Sequence, residues 1–124
     1  MNIVDSSGWL EYLSDGTQAK LFSPVLSRTD ELLVPIITIY EVFKVVLRER
    51  GEDDALQVLA LMKQGRIVEL STEIAIYAAR ISHEKKIPMA DSIIIATAYY
   101  YNAVIWTQDK HFKNLKGVKY FARK

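Results

Sequence analysis

Four acidic side chains stand where their surroundings make them conspicuous. Asp5 ends the apolar run Met1 to Val4 and precedes Ser6-Ser7-Gly8. Glu41 lies inside a helical stretch between Tyr40 and Val42-Phe43, Asp91 follows Ile87-Pro88-Met89-Ala90, and Asp109 closes Trp106-Thr107-Gln108-Asp109. Taken singly, each has a plain structural reading. Asp5, Asp91 and Asp109 stand at helix starts, where a carboxylate accepts orphan amide protons. Glu41 has Lys44 three residues on, a pair contributing about 0.2 to 0.5 kcal/mol on an exposed face. Taken jointly, they have a different chemistry. Carboxylates converging at one end of a sheet repel one another, and a divalent cation is the simplest resolution. Oxygen donors in a chain with no cysteine and two histidines select Mg²⁺ or Mn²⁺ over zinc. A site of that kind supports metal-dependent hydrolysis of a phosphodiester.

The elements that would carry these acids are legible from periodicity. Met1 to Asp5 is a short strand ending in a turn, and Trp9, Leu10, Tyr12 and Leu13 recur at helical spacing. Ala19 to Leu26 predicts a second helix, interrupted or kinked near Pro24. Leu32 to Pro35 is a strand, Ile36 to Arg50 a long helix that Gly51 terminates, and Glu52 to Gln64 a further helix ended by Gly65. Arg66 to Leu70 alternates polar and apolar residues, as a strand near a sheet edge does. A helix capped by Ser71-Thr72-Glu73 runs to Lys85, and another spans Asp91 to Tyr101. A strand covers Ala103 to Trp106, a short helix Asp109 to Leu115, and a last strand Val118 to Phe121. Strands alternating with helices predict an α/β fold, a central mainly parallel β-sheet flanked by α-helices on both faces.

Composition bounds the remaining possibilities. The 124 residues, half of them hydrophobic and a quarter charged, predict one domain over residues 1–124 with a packed core. The formal net charge of +1 gives no global pull toward nucleic acid or membrane, so either partner has to be argued locally. The apolar run Ile93 to Tyr101 lies between Asp91 and Asp109, well short of the ~20 residues a membrane span needs. The first residues lack a basic leader and a long apolar stretch, so no signal peptide and a cytoplasmic location are expected.

Val4-Asp5-Ser6-Ser7, Tyr40-Glu41-Val42, Pro88-Met89-Ala90-Asp91-Ser92 with Ile95-Ala96-Thr97-Ala98, and Trp106-Thr107-Gln108-Asp109-Lys110-His111-Phe112 together resemble the PIN-domain nucleases, VapC-type toxins above all. Each fragment is weak alone; their order and spacing over nearly the whole chain make the match specific. The resemblance implies a Mg²⁺- or Mn²⁺-dependent endoribonuclease, paired with a neutralising antitoxin and homodimeric. It assigns Asp5, Glu41, Asp91 and Asp109 to the family's acidic quartet. Asp5 and Asp91 would be the main metal ligands, Asp109 a further direct or water-mediated one, and Glu41 an organiser of water. Ser6 and Thr107 match the hydroxyl residues that support the pocket. Phe43-Lys44 is bulkier and more basic than many relatives carry after the glutamate, which bears on the width of the groove.

Basic residues supply the local case for RNA. Lys44, Arg48 and Arg50 form a stripe that could face phosphates, though such a stripe also serves as solvated surface. Lys110, Lys113, Lys116, Lys119, Arg123 and Lys124 concentrate positive charge near the C-terminus, opposed there only by Asp109. His83 and His111 are expected at the surface or in structural roles, because a metal makes a histidine base unnecessary. Tyr99-Tyr100-Tyr101 is expected to pack a helix. Two other functions share the fold: a non-catalytic PIN-like domain that binds RNA or protein, and an aspartate-based phosphoryl-transfer domain. The second lacks an Asp-x-Asp pair at Asp5.

Overall fold

A computed structural model describes residues 1–124. In chain order the elements are β1 (Asn2–Val4), α1 (Ser6–Leu13), α2 (Ala19–Ser27), β2 (Leu32–Pro35), α3 (Ile36–Arg50) and α4 (Glu52–Met62). There follow β3 (Arg66–Val68), α5 (Thr72–Lys85), α6 (Met89–Tyr101), β4 (Val104–Thr107) and β5 (Val118–Tyr120), with 3₁₀ turns at Thr29–Glu31 and Lys110–Phe112. The strands form one sheet in the order β3-β2-β1-β4-β5, and every neighbouring pair is parallel. The half-wet strand β3 is an edge, as its alternation predicts.

Successive strand residues point to opposite faces, and the two cores follow from that alternation. Ile3, Leu33 and Ile105 join Ile74, Ala78 and Ile81 of α5 and Ile94, Ile95 and Ala98 of α6 on one face. Val4, Leu32 and Val34 join Trp9, Phe22, Val42, Val46 and Met62 from α1 to α4 on the other. No helix is long and apolar enough to cross a membrane.

Local chemistry sets the helix boundaries. The Asp5 side chain caps α1 by accepting from the Gly8 amide, and Ser71 caps α5 by accepting from the Ile74 amide. Gly51, at φ 93°, ends α3 in backbone that side-chain-bearing residues avoid. Several element ends fall one or two residues from the sequence expectation, and three differences have a local cause. The second helix runs unbroken through Pro24. The ~3 kcal/mol cost of an interior proline is offset by burial of Phe22, Val25 and Leu26, each of which contributes ~1.5 to 3 kcal/mol. The segment after Asp109 is a single 3₁₀ turn, because Asn114 (φ 68°) and Gly117 (φ 76°) break any helix and Phe112 alone is buried as an anchor. α6 begins at Met89, two residues before Asp91, with Pro88 in the cap position.

Gly8 is required by close approach. A Cβ there would fall 2.6 Å from Val4 Cγ1 and 2.8 Å from Phe22 Cε1, inside the core beneath α1. Gly8→Ala is expected to destabilise the protein by about 1 to 3 kcal/mol through overpacking. A urea midpoint unchanged from wild type would show that β1 and α1 are not packed this tightly.

Candidate metal centre

From β1 the chain steps outward to β2 and β3, then crosses back to β4 on the other side of β1 and on to β5. In open parallel sheets the crevice at such a reversal, beyond the strands' carboxyl ends, is where ligands bind. Here β1 delivers Asp5 as the residue after Val4, and β4 ends on Thr107 with Gln108 and Asp109 following.

Asp5 is 2% exposed, and both of its oxygens are engaged. Oδ1 accepts from Ser7 Oγ at 2.8 Å and from the Gly8 amide at 3.1 Å; Oδ2 accepts from Thr107 Oγ1 at 2.7 Å. Asp5 therefore caps α1 through Oδ1 while Thr107 holds Oδ2. Burial pushes its carboxyl up from 3.8 to about 6; the bonds from Thr107, Ser7 and Gly8 oppose the rise, and the charge of Asp109 adds to it. A carboxylate so tied down is poorly placed to accept a phosphoryl group.

Glu41 projects from α3 toward the start of α1, where Ser6 Oγ donates to Oε1 at 3.1 Å. It makes no ion pair with Lys44, whose ammonium lies 5.7 Å from the centre of the Tyr40 ring. Burial raises the Glu41 pKa, the Ser6 bond lowers it, and the charges of Asp91 and Asp109 raise it further. Asp91 is the third residue of α6 and forms no cap; its Oδ2 lies 2.8 Å from His111 Nδ1. Burial raises its pKa, and Asp109 adds to the rise against the hydrogen bond and charge of His111. Asp109 Oδ1 caps the 3₁₀ turn by accepting from the His111 amide at 2.9 Å, and the Asp109 amide donates to Thr107 Oγ1 at 2.9 Å. Thr107 thus ties Asp5 to Asp109.

Asp109 is the hub of the four acids: its charge acts on Asp5, Glu41 and Asp91, and Asp91 also acts on Glu41, so they do not form an even ring. Ligand atoms of Asp91, Asp109 and His111 all fall within 4.8 Å of one another, and Asp5 and Glu41 border this trio. Oxygen donors predominate at a negatively charged crevice, so the residues suit a hard divalent cation. Of the expected supporting hydroxyls, Ser6 holds Glu41 and Thr107 holds Asp5. Lys110 lines an open hollow of about 460 Å³ beside Asp109 and His111, together with Tyr120 and Arg123. Arg48 is exposed and pairs with Glu49 at 3.5 Å, away from the acids' hydrogen-bond network.

Three participants were not legible as such. Ser7 donates to Asp5 and its Oγ lies 3.4 Å from Thr107 Oγ1. Gln108 is buried, accepting from Gln18 Nε2 at 2.7 Å and donating to Glu11 at 3.3 Å, and so locks the loop that carries Asp109. His111 is exposed, as expected, yet its ring turns into the acids. The usable signal was its spacing: a residue two beyond a capping aspartate returns beside that carboxylate.

Comparison with known proteins gives the geometry a family. A family model described as PIN domain matches residues 3–118. No curated protein matches. Among solved structures, a toxin-antitoxin complex from Klebsiella pneumoniae aligns with a TM-score of 0.84 at 19% identity, over 99% of this chain and 100% of that one. DNA-bound VapBC from Salmonella typhimurium aligns at 0.73 with 16% identity, over 98% of each chain. The sarcin-ricin loop cleaving toxin VapC20 of Mycobacterium tuberculosis aligns at 0.75 with 12% identity, over 95% of this chain and 97% of that one. At these identities the structures establish a shared fold. With the family model spanning nearly the whole sequence, the chain belongs to the PIN domain family.

Proposed function

We propose that this chain is a divalent-metal-dependent endoribonuclease and the toxin of a toxin–antitoxin pair. The observation that supports the reading is the cluster of Asp91, Asp109 and His111 beyond the carboxyl ends of the strands, with Asp5 and Glu41 within reach of Asp109's charge, where a cation would relieve the repulsion. Asp91 and Asp109 would hold the ion, with Asp5 the deeper ligand through the oxygen it also offers Thr107. Bound Mg²⁺ or Mn²⁺ supplies Lewis acidity toward phosphoryl oxygens and lowers the pKa of water nearby. Glu41, fixed by Ser6 and raised in pKa by burial, would orient the attacking water and take up its proton. Thr107 and Ser7 hold Asp5 in one rotamer, so little reorganisation accompanies the reaction.

RNA is the favoured substrate because a chain of this fold is a sarcin-ricin loop cleaving toxin. Lys110 and Arg123 would meet backbone phosphates in the hollow beside Asp109, with Lys44 and Arg48 as outlying contacts along α3. For the antitoxin, Ile39, Tyr40, Phe43 and Leu47 line an apolar hollow of about 430 Å³ on α3 that would take a short amphipathic segment, with a basic side chain reaching the acids. A homodimer belongs to the same reading; α5 and α6 leave Ile76, Tyr77, Met89 and Tyr100 exposed.

The test is cleavage of structured and unstructured RNAs by the purified protein, alone and after coexpression with the product of the adjoining gene. Cleavage should require Mg²⁺ or Mn²⁺, stop on chelation, resume on readdition and be suppressed in the copurified complex. Cleavage that persists in excess EDTA would sink the metal mechanism, and free activity in the presence of the neighbouring product would sink that product's assignment as antitoxin.

A further inference from the structure

The donor set at the proposed centre is not purely oxygen. His111 Nδ1 lies 2.8 Å from Asp91 Oδ2 and 3.4 Å from Asp109 Oδ1. Adjacent donors on an octahedral ion with bonds of ~2.1 Å stand ~3 Å apart, because the edge is the bond length times the square root of two. Both separations fall close to that edge. The imidazole therefore stands at the spacing of a ligand neighbouring each carboxylate. Its backbone amide is held by Asp109 Oδ1 at 2.9 Å, so the ring is delivered to this position by the 3₁₀ turn itself.

Resting on the metal-centre reading above, we infer that His111 is a direct nitrogen ligand of the bound cation and biases the centre toward Mn²⁺ over Mg²⁺. The chemistry is that of ligand type. Carboxylates suit both ions, but Mn²⁺, a first-row transition metal, accepts an imidazole nitrogen more readily than Mg²⁺, which retains water in preference to such a donor. The ring would coordinate in the tautomer with its proton on Nε2, leaving the Nδ1 lone pair for the ion. His111 is 49% exposed along its side chain, so Nε2–H can be satisfied by water. The competing role is a hydrogen bond that steadies Asp91 while oxygens alone hold the ion, and the two roles differ in whether nitrogen touches the metal.

Pulsed EPR of Mn²⁺ bound to the untagged wild-type protein separates them. The chain has two histidines, so a ¹⁴N modulation typical of a coordinated imidazole is assignable by substituting each in turn. The modulation should be present in wild type and in His83→Gln, and absent in His111→Ala and His111→Asn. Titration should show Mn²⁺ affinity falling at least about 10-fold in His111→Ala, no less than loss of an outer-shell partner costs, with Mg²⁺ affinity changing less than about threefold, a selectivity that loss of a hydrogen bond to Asp91 alone would not produce. Wild-type protein that binds Mn²⁺ with no imidazole modulation would overturn the inference and leave the metal centre standing, and this outcome needs no folded variant. Failure of wild type to bind either ion, with Asp91→Asn indistinguishable from it, would overturn the metal-centre reading as well.

Discussion

Asp91→Asn should lower RNA cleavage by about 100-fold or more while leaving the fold and the attraction for RNA nearly intact. Asp91 is the third residue of α6, its side chain makes no cap, and its one strong partner is His111 at 2.8 Å. The substitution keeps size and hydrogen-bonding atoms. Its structural costs are therefore small: a favourable charge lost from the first turn of a helix, ~0.3 to 1 kcal/mol, opposed by relief of repulsion from Asp109. Its chemical cost is large, because an amide is a far poorer ligand than a carboxylate. Lys110, Arg123 and the other C-terminal basic residues remain, so binding should persist and weaken with salt as in wild type. The measurements are melting temperature, RNA affinity at two salt concentrations, and cleavage rate across a Mn²⁺ titration. A folded variant cleaving at the wild-type rate at low Mn²⁺ would defeat the mechanism.

Much of this site was open to inference from the sequence, for identifiable reasons. Strands three or four residues long, each apolar and bounded by a turn, fix where a carboxylate following them must emerge, so the exits of β1 and β4 locate Asp5 and Asp109. Glu41 needed more, since nothing in the period of α3 says which face meets α1; the hydrogen bond from Ser6 supplies that, and it depends on the packing of α1 against α3. The start of α6 is harder to place because Asp91 looks like a cap, whereas the helix begins behind Pro88, whose carbonyl accepts the first helical bond from the Ser92 amide at 2.9 Å. His111 is harder to read: its spacing two beyond Asp109 brings its amide to that carboxylate, but only the folded turn shows that an exposed residue aims its ring inward. Side-chain direction at irregular backbone is the information that periodicity lacks.

That distinction between residues fixed by local pattern and residues fixed by burial has its sharpest consequence at Asp5, where the site should be maintained against the stability of the metal-free fold. Its carboxyl is pushed from 3.8 to about 6, so between about pH 4 and pH 6 the native state binds more protons than the unfolded chain. Stability associated with this group is fully present below its unfolded pKa and is lost as pH rises through the folded value. Above pH 6 the full cost applies, about 3 kcal/mol for a shift of this size. Asp5→Asn removes the charge and retains an oxygen for the Gly8 amide and an NH₂ for Thr107 Oγ1. In EDTA at pH 7.5 the variant should be about 1 to 3 kcal/mol more stable than wild type, the lower figure allowing for the weaker hydrogen bonds of a neutral amide. The advantage should vanish toward pH 4. Saturating Mn²⁺ should reverse the order by stabilising wild type selectively, since a ligand bound only by the native state adds its binding free energy to folding. Urea unfolding at several pH values, with and without Mn²⁺, reads all three effects. A variant less stable than wild type in EDTA at pH 7.5 would show that Asp5 is retained for its cap and hydrogen bonds, and that its buried charge is not a cost the metal has to meet.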